Sequence, residues 1–228
     1  MNIKGNNLDI KITSIIFDLD GTLLDTIDDL ADSTNQVLQG FNFPVHSVQS
    51  YKLFVGNGLR TLIERAVPVG TAVETVDTCC VEFERIYAQQ WKSKCSLYTG
   101  INDMLAALQK RGIPLAILSN KPHQFTQLFV EEFFPRGLFR YAFGQRQGFP
   151  KKPHPAGAVE IANLLQMNTE NILFVGDSDV DIQTGKNAGM KTAAVSWGFR
   201  PVEELLENNP DILINHPLDL LDNAIFTY

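Results

Sequence analysis

The chain has 228 residues, 44% of them hydrophobic and 20% charged, with 19 basic against 26 acidic side chains and a formal net charge of −7. About 70% of an unfolded chain of this length can be buried on folding, which excludes disordered and fibrous classes, and the acidic balance excludes broad nucleic-acid binding, which needs a basic face. No apolar run reaches the ~18 residues of a membrane span, and the opening MNIKGNN lacks a basic and then apolar leader, so a cytoplasmic chain without membrane or nucleic-acid partners is expected.

In chain order, the first apolar run is Ser14-Ile15-Ile16-Phe17, short and closed by Asp18. From about Thr26 to Leu97 helical periodicity replaces it. Leu59, Leu62, Ile63 and Ala66 recur at i, i+3, i+4, i+7, and Val73, Val76, Cys80, Phe83, Tyr87 and Trp91 hold one face of a longer helix. These stripes are read as helix packing, and the segment as an all-α insert. Cys79, Cys80 and Cys95 form no CxxC pair, which fits a reducing compartment rather than a disulfide or zinc framework.

After Gly100 a helical pattern through Leu105 and Leu108 leads to a second strand, Pro114 to Leu118. A helix follows Pro155 through Val159, Ala162 and Leu165, then a strand at Asn171–Val175, a helix through Ile182 and Ala188 stopped by Gly189, and a strand at Lys191–Val195. Short strands apolar on both faces belong to a parallel sheet covered by helices. The fold class is therefore α/β, a Rossmann-like parallel core with an inserted helical domain. The core is expected over 1–23 and 98–228, the insert over 24–97.

Ligands of open parallel sheets bind beyond the carboxyl ends of the strands, and four such exits are polar. They are Asp18-Leu19-Asp20-Gly21-Thr22, Ser119-Asn120, Lys151-Lys152-Pro153, and Gly176-Asp177-Ser178-Asp179-Val180-Asp181. Singly each reads as a cap, a turn or a surface charge. If the strands are neighbours, Asp18, Asp20, Asp177 and Asp181 converge, and like charges about 4 Å apart repel by roughly 4 kcal/mol per pair at an effective dielectric near 20. A bound cation relieves that, and carboxylates without histidine or thiolate favour Mg²⁺. With a hydroxyl and a lysine added, the inventory suits phosphoryl transfer. Asp18 would attack phosphorus, Asp20 would act as acid and then base, Ser119 and backbone N–H groups near Asn120 would hold the phosphoryl oxygens, and Lys152 would add positive charge. Asp177 would ligate the metal, and Asp181 would orient a metal water or the lysine.

The order DxDGT, Ser-Asn, Lys-Pro, GDSxxD resembles the signature of the haloacid dehalogenase superfamily, and frames the chain from Ile15 to about Phe199. The resemblance implies an Asp nucleophile at Asp18, an aspartyl-phosphate, Mg²⁺ held also by the backbone carbonyl of Asp20, and a mobile helical cap over the substrate. Within the superfamily the chain looks most like phosphoglycolate phosphatases, through Val55-Gly56-Asn57-Gly58-Leu59, Arg65-Ala66, Ser119-Asn120-Lys121-Pro122 and Lys151-Lys152-Pro153-His154-Pro155. That implies a small phosphorylated metabolite, 2-phosphoglycolate first, with Gly56 and Asn57 approaching it through backbone N–H groups and Arg60 or Lys121 pairing its carboxylate. Monomer and homodimer are equally open.

Thr99-Gly100 stands where the family has Pro-Gly, Gln145-Arg146-Gln147 where relatives carry acids, and Val180 where Asn is frequent. None is a catalytic group. Carbon–halogen displacement has no use for the second acid, Asp20. A β-phosphoglucomutase-like enzyme shares every core group, but Ile27 to Asp32 offers no histidine of the kind such mutases show there. A phosphonatase needs a cap lysine, and Lys52, Lys92 and Lys94 are not convincingly placed. A receiver-like module has a different motif order and no such insert. A non-catalytic binding protein fits poorly, since every catalytic position is intact, and no P-loop is present.

Overall fold

Alternation within the apolar strands decides the layering. Ile15 and Phe17 face one hydrophobic cluster and Ile16 the other, as do Ile117 against Ala116, and Leu173 and Val175 against Phe174. Both faces are therefore covered, as a parallel sheet requires. The computed structural model describes residues 8–226. The sequence-based reading of the leader falls on residues 1–7, outside the described residues.

The chain begins with β1 (Leu8–Ile12), β2 (Ser14–Phe17) and a two-residue β3 (Leu24–Asp25). Four helices follow, α1 (Ile27–Gly40), α2 (Val48–Phe54), α3 (Leu59–Ala66) and α4 (Val73–Gln90), and then β4 (Ser96–Leu97). The rest alternates: α5 (Ile101–Lys110), β5 (Leu115–Pro122), α6 (His123–Phe133), β6 (Phe139–Gln145), α7 (Ala156–Leu165), β7 (Ile172–Gly176), α8 (Asp179–Asn187), β8 (Lys191–Val195), α9 (Val202–Glu207) and β9 (Ile212–Ile214), closing with α10 (Leu220–Asn223) and β10 (Ala224–Phe226). Six strands form one parallel sheet in the order β6-β5-β2-β7-β8-β9, and β1 pairs with β10 apart from it.

The chain runs outward from β2 to β5 and β6, then returns to β7 on the other side of β2. The crevice of such a sheet lies at this reversal. The register places Phe17 beside Ile117 on one side and Val175 on the other, so Asp18 emerges between β5 and β7.

The two chain segments that lead into and out of the helical insert pair with each other as the antiparallel β3–β4, Leu24 opposite Leu97 and Asp25 opposite Ser96, separate from the six-stranded sheet. The expectation of an insert without strands is corrected at these two ends. Its stripe on α4 is corrected too: the buried positions are Val76, Cys79, Phe83 and Tyr87, while Val73 is exposed and Cys80 half-buried. Trp91 lies just past the helix and packs its ring against Phe129 of α6, centroids 4.6 Å apart. Strands β6 and β9 carry weak signals of their own: β6 is an edge strand half-exposed along most of its length, and β9, though apolar throughout, has only three residues.

Candidate active site

The β2 exit carries the first two carboxylates. Asp18 N–H donates to the Val175 carbonyl at 2.8 Å, which continues the ladder one residue past the strand and fixes the side chain between β5 and β7. Gly21 then turns the chain at φ +82°, and a Cβ there would lie 2.2 Å from Asp177 Oδ2. Only glycine gives both that backbone and that closeness. Asp177 leaves β7 and accepts from the Phe199 N–H at 2.7 Å.

Asp181 does two jobs. At the third position of α8 its Oδ2 accepts from the Ser178 N–H at 3.1 Å and the Ser178 hydroxyl at 2.6 Å, a capping box. Its Oδ1 accepts from Lys152 Nζ at 2.6 Å. The same ammonium lies 2.8 Å from Asp18 Oδ1, yet that buried oxygen receives no aligned hydrogen bond. Oxygens of Asp18, Asp177 and Asp181 all lie within 4.8 Å of one another, a spacing at which each like-charged pair costs roughly 3 kcal/mol at an effective dielectric near 20.

The electrostatics record that crowding. Burial pushes the Asp18 carboxyl up to about 7 against the pull of Lys152, and Asp181 adds to the rise. Burial also holds Asp177 well above the usual carboxylate range, followed by the charges of Asp181 and Asp18. Burial works against a charged Lys152, but Asp18 and Asp181 outweigh it and the net shift is upward. Three buried carboxylates, one lysine and an orphaned Asp18 oxygen fit a hard divalent cation with oxygen ligands.

Asp20 stands apart from that trio. Its Oδ1 accepts from Thr26 Oγ1 at 2.7 Å and from Lys121 Nζ at 2.9 Å. The carboxylate is thus engaged toward the insert, and its side chain is not one of the clustered oxygens.

Ser119 and Asn120 do not leave the sheet, as the sequence suggests, because β5 runs on to Pro122 along β6 after its pairing with β2 has ended at Ile117. The Asn120 side chain is held on three sides. It donates to the Gly56 and Lys152 carbonyls, each at 3.0 Å, and accepts from the Lys152 N–H at 2.9 Å.

Core side chains capture the insert at Lys52–Asn57. Lys151 Nζ donates to the Asn57 carbonyl at 2.7 Å, and Arg200, buried, donates to the carbonyls of Lys52 and Val55. These contacts close a chamber lined by Asp18, Asp20, Ser119, Asn120, Lys121, Asp177 and Arg200 from the core, and by Gly56, Gly58, Leu62, Phe83 and Tyr87 from the insert. Its free space is about 50 Å³, room for about three to five waters.

Arg60 is not in the chamber. It pairs with Glu64 at 2.9 Å and with Asp77 of α4, half-exposed along the groove that also holds Asn57 and Lys151, so the expected pairing with a substrate carboxylate is not available to it in this arrangement. Asn57 lies outside as well, in the neighbouring groove beside Lys151. Sequence reasoning missed Arg200 and Tyr87. Arg200 follows the last motif without a pattern of its own, and Tyr87 is hidden in a stripe read as packing alone; Phe83 and Tyr87 both pack and line the chamber.

A family model described as haloacid dehalogenase-like hydrolase matches residues 15–195. The chain is 34% identical over 216 residues to a phosphoglycolate phosphatase of Pseudomonas syringae pv. syringae, covering 92% of this chain and 79% of that one. It is 32% identical over 222 residues to a phosphoglycolate phosphatase of Psychrobacter arcticus, at 94% and 96% coverage. A solved structure titled a predicted phosphoglycolate phosphatase of Haemophilus somnus 129PT superposes with a TM-score of 0.87 at 29% identity, over 92% of this chain and 97% of that one. A β-phosphoglucomutase of Clostridium difficile shares the fold, with a TM-score of 0.75 at 17% identity, over 92% and 93%. No helix among the described residues is long and apolar enough to cross a membrane.

Proposed function

The chain belongs to the haloacid dehalogenase-like hydrolases and is a phosphoric monoester hydrolase; on that premise we propose that it is a Mg²⁺-dependent phosphatase working through an aspartyl-phosphate, with 2-phosphoglycolate as substrate. The observation that carries the reading is the meeting of Asp18, Asp177, Asp181 and Lys152 at the reversal of the sheet, with Asp20 on the insert side of the same chamber. Asp18 and Asp177, with the Asp20 carbonyl, would hold Mg²⁺, which when bound neutralises phosphoryl oxygens and offsets the carboxylate repulsion.

The residues divide the work. An Asp18 carboxylate oxygen attacks phosphorus, forming an Asp18–phosphoryl bond as the ester P–O bond breaks, and Asp20 gives its proton to the departing alkoxide. In the second step water attacks the same phosphorus, Asp20 takes the water's proton, and the bond to Asp18 breaks to release phosphate. Lys152, fixed by Asp181, lies against Asp18 and offsets charge building on the phosphoryl oxygens. Ser119, buried beside them, serves as a hydroxyl donor to those oxygens, and Gly56 presents backbone from the insert. The side chain of Asn120 is spent on orienting Lys152 and Gly56, so its contribution to phosphate binding is through the backbone. The free thiols Cys79, Cys80 and Cys95 suit a reducing cytosol.

Relatives named phosphoglycolate phosphatase support the substrate. The test is phosphate release from 2-phosphoglycolate, sugar phosphates, nucleoside monophosphates and pyrophosphate, with Mg²⁺ and with EDTA. The expected result is a strong, EDTA-sensitive preference for 2-phosphoglycolate. Preference for another ester discards the substrate and keeps the chemistry; release undiminished by EDTA discards the metal.

A further inference from the structure

Lys121 is a buried cation with spare hydrogen-bonding capacity. Its side chain is 3% exposed, and its ammonium makes a single hydrogen bond, to Asp20 Oδ1. The faces of Tyr87 and Phe129 flank it, at 4.9 and 4.6 Å from the ring centroids. An ammonium has three donors, and aromatic faces offset part of its desolvation without accepting a directed hydrogen bond as an anion does. Burying such a group beside one carboxylate leaves it short of partners.

The other cations at the chamber are committed. Lys152 serves Asp18 and Asp181, and Arg200 serves Glu204 and the carbonyls of Lys52 and Val55. Arg60 lies outside and is paired twice. The remaining wall on the insert side is mostly hydrocarbon from Leu30, Leu59, Leu62 and Phe83, its polar groups being the Gly56 and Gly58 backbone and the buried Tyr87 hydroxyl, and among the described residues it brings no cation of its own.

We propose that Lys121 is the specificity-determining residue of this chamber: it selects small phosphate monoesters that carry a carboxylate on the carbon bearing the ester oxygen. The proposal rests on the phosphatase reading above and deepens it. The geometry is specific because Lys121 touches Asp20, the group assigned to the leaving oxygen, so an anion paired with Lys121 lies beside that oxygen and not at the far end of a long leaving group. The aromatic pair keeps the ammonium on that side, so an anion it binds is held close to the leaving oxygen.

The test compares kcat/KM for 2-phosphoglycolate with that for ethyl phosphate, which replaces the carboxylate by a methyl group, in the Mg²⁺-loaded full chain. The wild type is expected to favour 2-phosphoglycolate, and Lys121→Met to reduce the ratio about 10- to 100-fold, mostly through weaker binding of the carboxylate-bearing ester, read as a higher KM. Arg60→Met should leave the ratio as it is. A ratio kept in Lys121→Met, or lost in Arg60→Met, overturns the assignment. If Lys121→Met does not fold, Lys121→Arg keeps the charge, and competitive inhibition by glycolate relative to ethanol is read in that variant and the wild type; equal inhibition by the two compounds in the wild type overturns the proposal. Hydrolysis of both esters without preference in the wild type removes the proposal while leaving the phosphatase chemistry. No hydrolysis of either, with a sugar phosphate turned over, removes the substrate class as well.

Discussion

The two walls of the chamber are built on different principles. On the core wall each polar side chain is fixed by a neighbour: Asp18 and Asp181 by the Lys152 ammonium, Asp177 by the Phe199 N–H, Asn120 by the Lys152 backbone. The insert wall is largely apolar, with Leu62, Phe83 and the Tyr87 ring presenting hydrocarbon, Gly56 and Gly58 presenting backbone, and the buried Tyr87 hydroxyl left without a hydrogen-bond partner among the described residues. The core wall is thus rigid and charged, suited to a reaction whose main requirement is positioning and charge neutralisation. The insert wall excludes water and limits size, and the polar contacts that bring it down come from core residues reaching across, Arg200, Asn120 and Lys151. On the proposed reading, chemistry and selection meet on the core side at the Asp20–Lys121 pair.

The comparison breaks most decisively on the core wall. Asp18→Asn should lower phosphate release by about 10⁴-fold or more, as loss of a nucleophile does elsewhere, while circular dichroism stays unchanged because the amide replaces the carboxylate without change of shape. Turnover near wild type in that variant would transfer the attack to another group. Asp20→Asn should cost about 10²- to 10⁴-fold and slow both the formation and the breakdown of the phosphorylated enzyme, which rapid quench resolves; a defect in one half-reaction only would split the two roles.

Stability against pH tests the buried charges directly. The folded Asp18 carboxyl sits at about 7 against an ordinary 3.8, so metal-free folded protein binds more protons than unfolded protein between those values. This stabilising contribution is complete below the ordinary value and is lost as pH rises through about 7. Melting in EDTA should therefore fall from about pH 5 to about pH 8, and added Mg²⁺ should raise the melting temperature most at the alkaline end. A flat profile in EDTA would mean the carboxylate crowding is relieved by other means.

The smallest effect belongs to the closure of the insert. Arg200→Ala frees the carbonyls of Lys52 and Val55, and steady-state kinetics should show KM rising about tenfold with a lesser change in kcat, since no reacting group is touched. A loss as large as that of Asp18→Asn would place Arg200 in the chemistry.

Much of the core was legible because its signals are local. The strands expected at Ser14–Phe17 and Lys191–Val195 have those bounds, and that expected at Asn171–Val175 differs by a residue at each end. The second, expected to end at Leu118, runs on to Pro122, because its continuation is set by pairing with the edge strand β6 rather than by its own apolar run. Gly21 marks a turn through its positive φ and Ser178 a helix start through its hydroxyl, so the carboxylates around them could be placed at strand ends from local chemistry.

The α/β rhythm, the helical insert and the acidic motifs are all written in the order of residues, since periodicity and turn chemistry act over a few positions. The choice between Arg60 and Lys121, adjacent in neither sequence nor space, waits on packing, which pairs the first with Glu64 and Asp77 at the surface and buries the second against Asp20. Packing also turns Tyr87 from a helix-stripe residue into part of the chamber and brings Arg200 to carbonyls 145 and 148 positions away. A charge acquires its role from what lies within a few ångströms of it, and for these residues that neighbourhood is assembled by the packing of helices that no local pattern records.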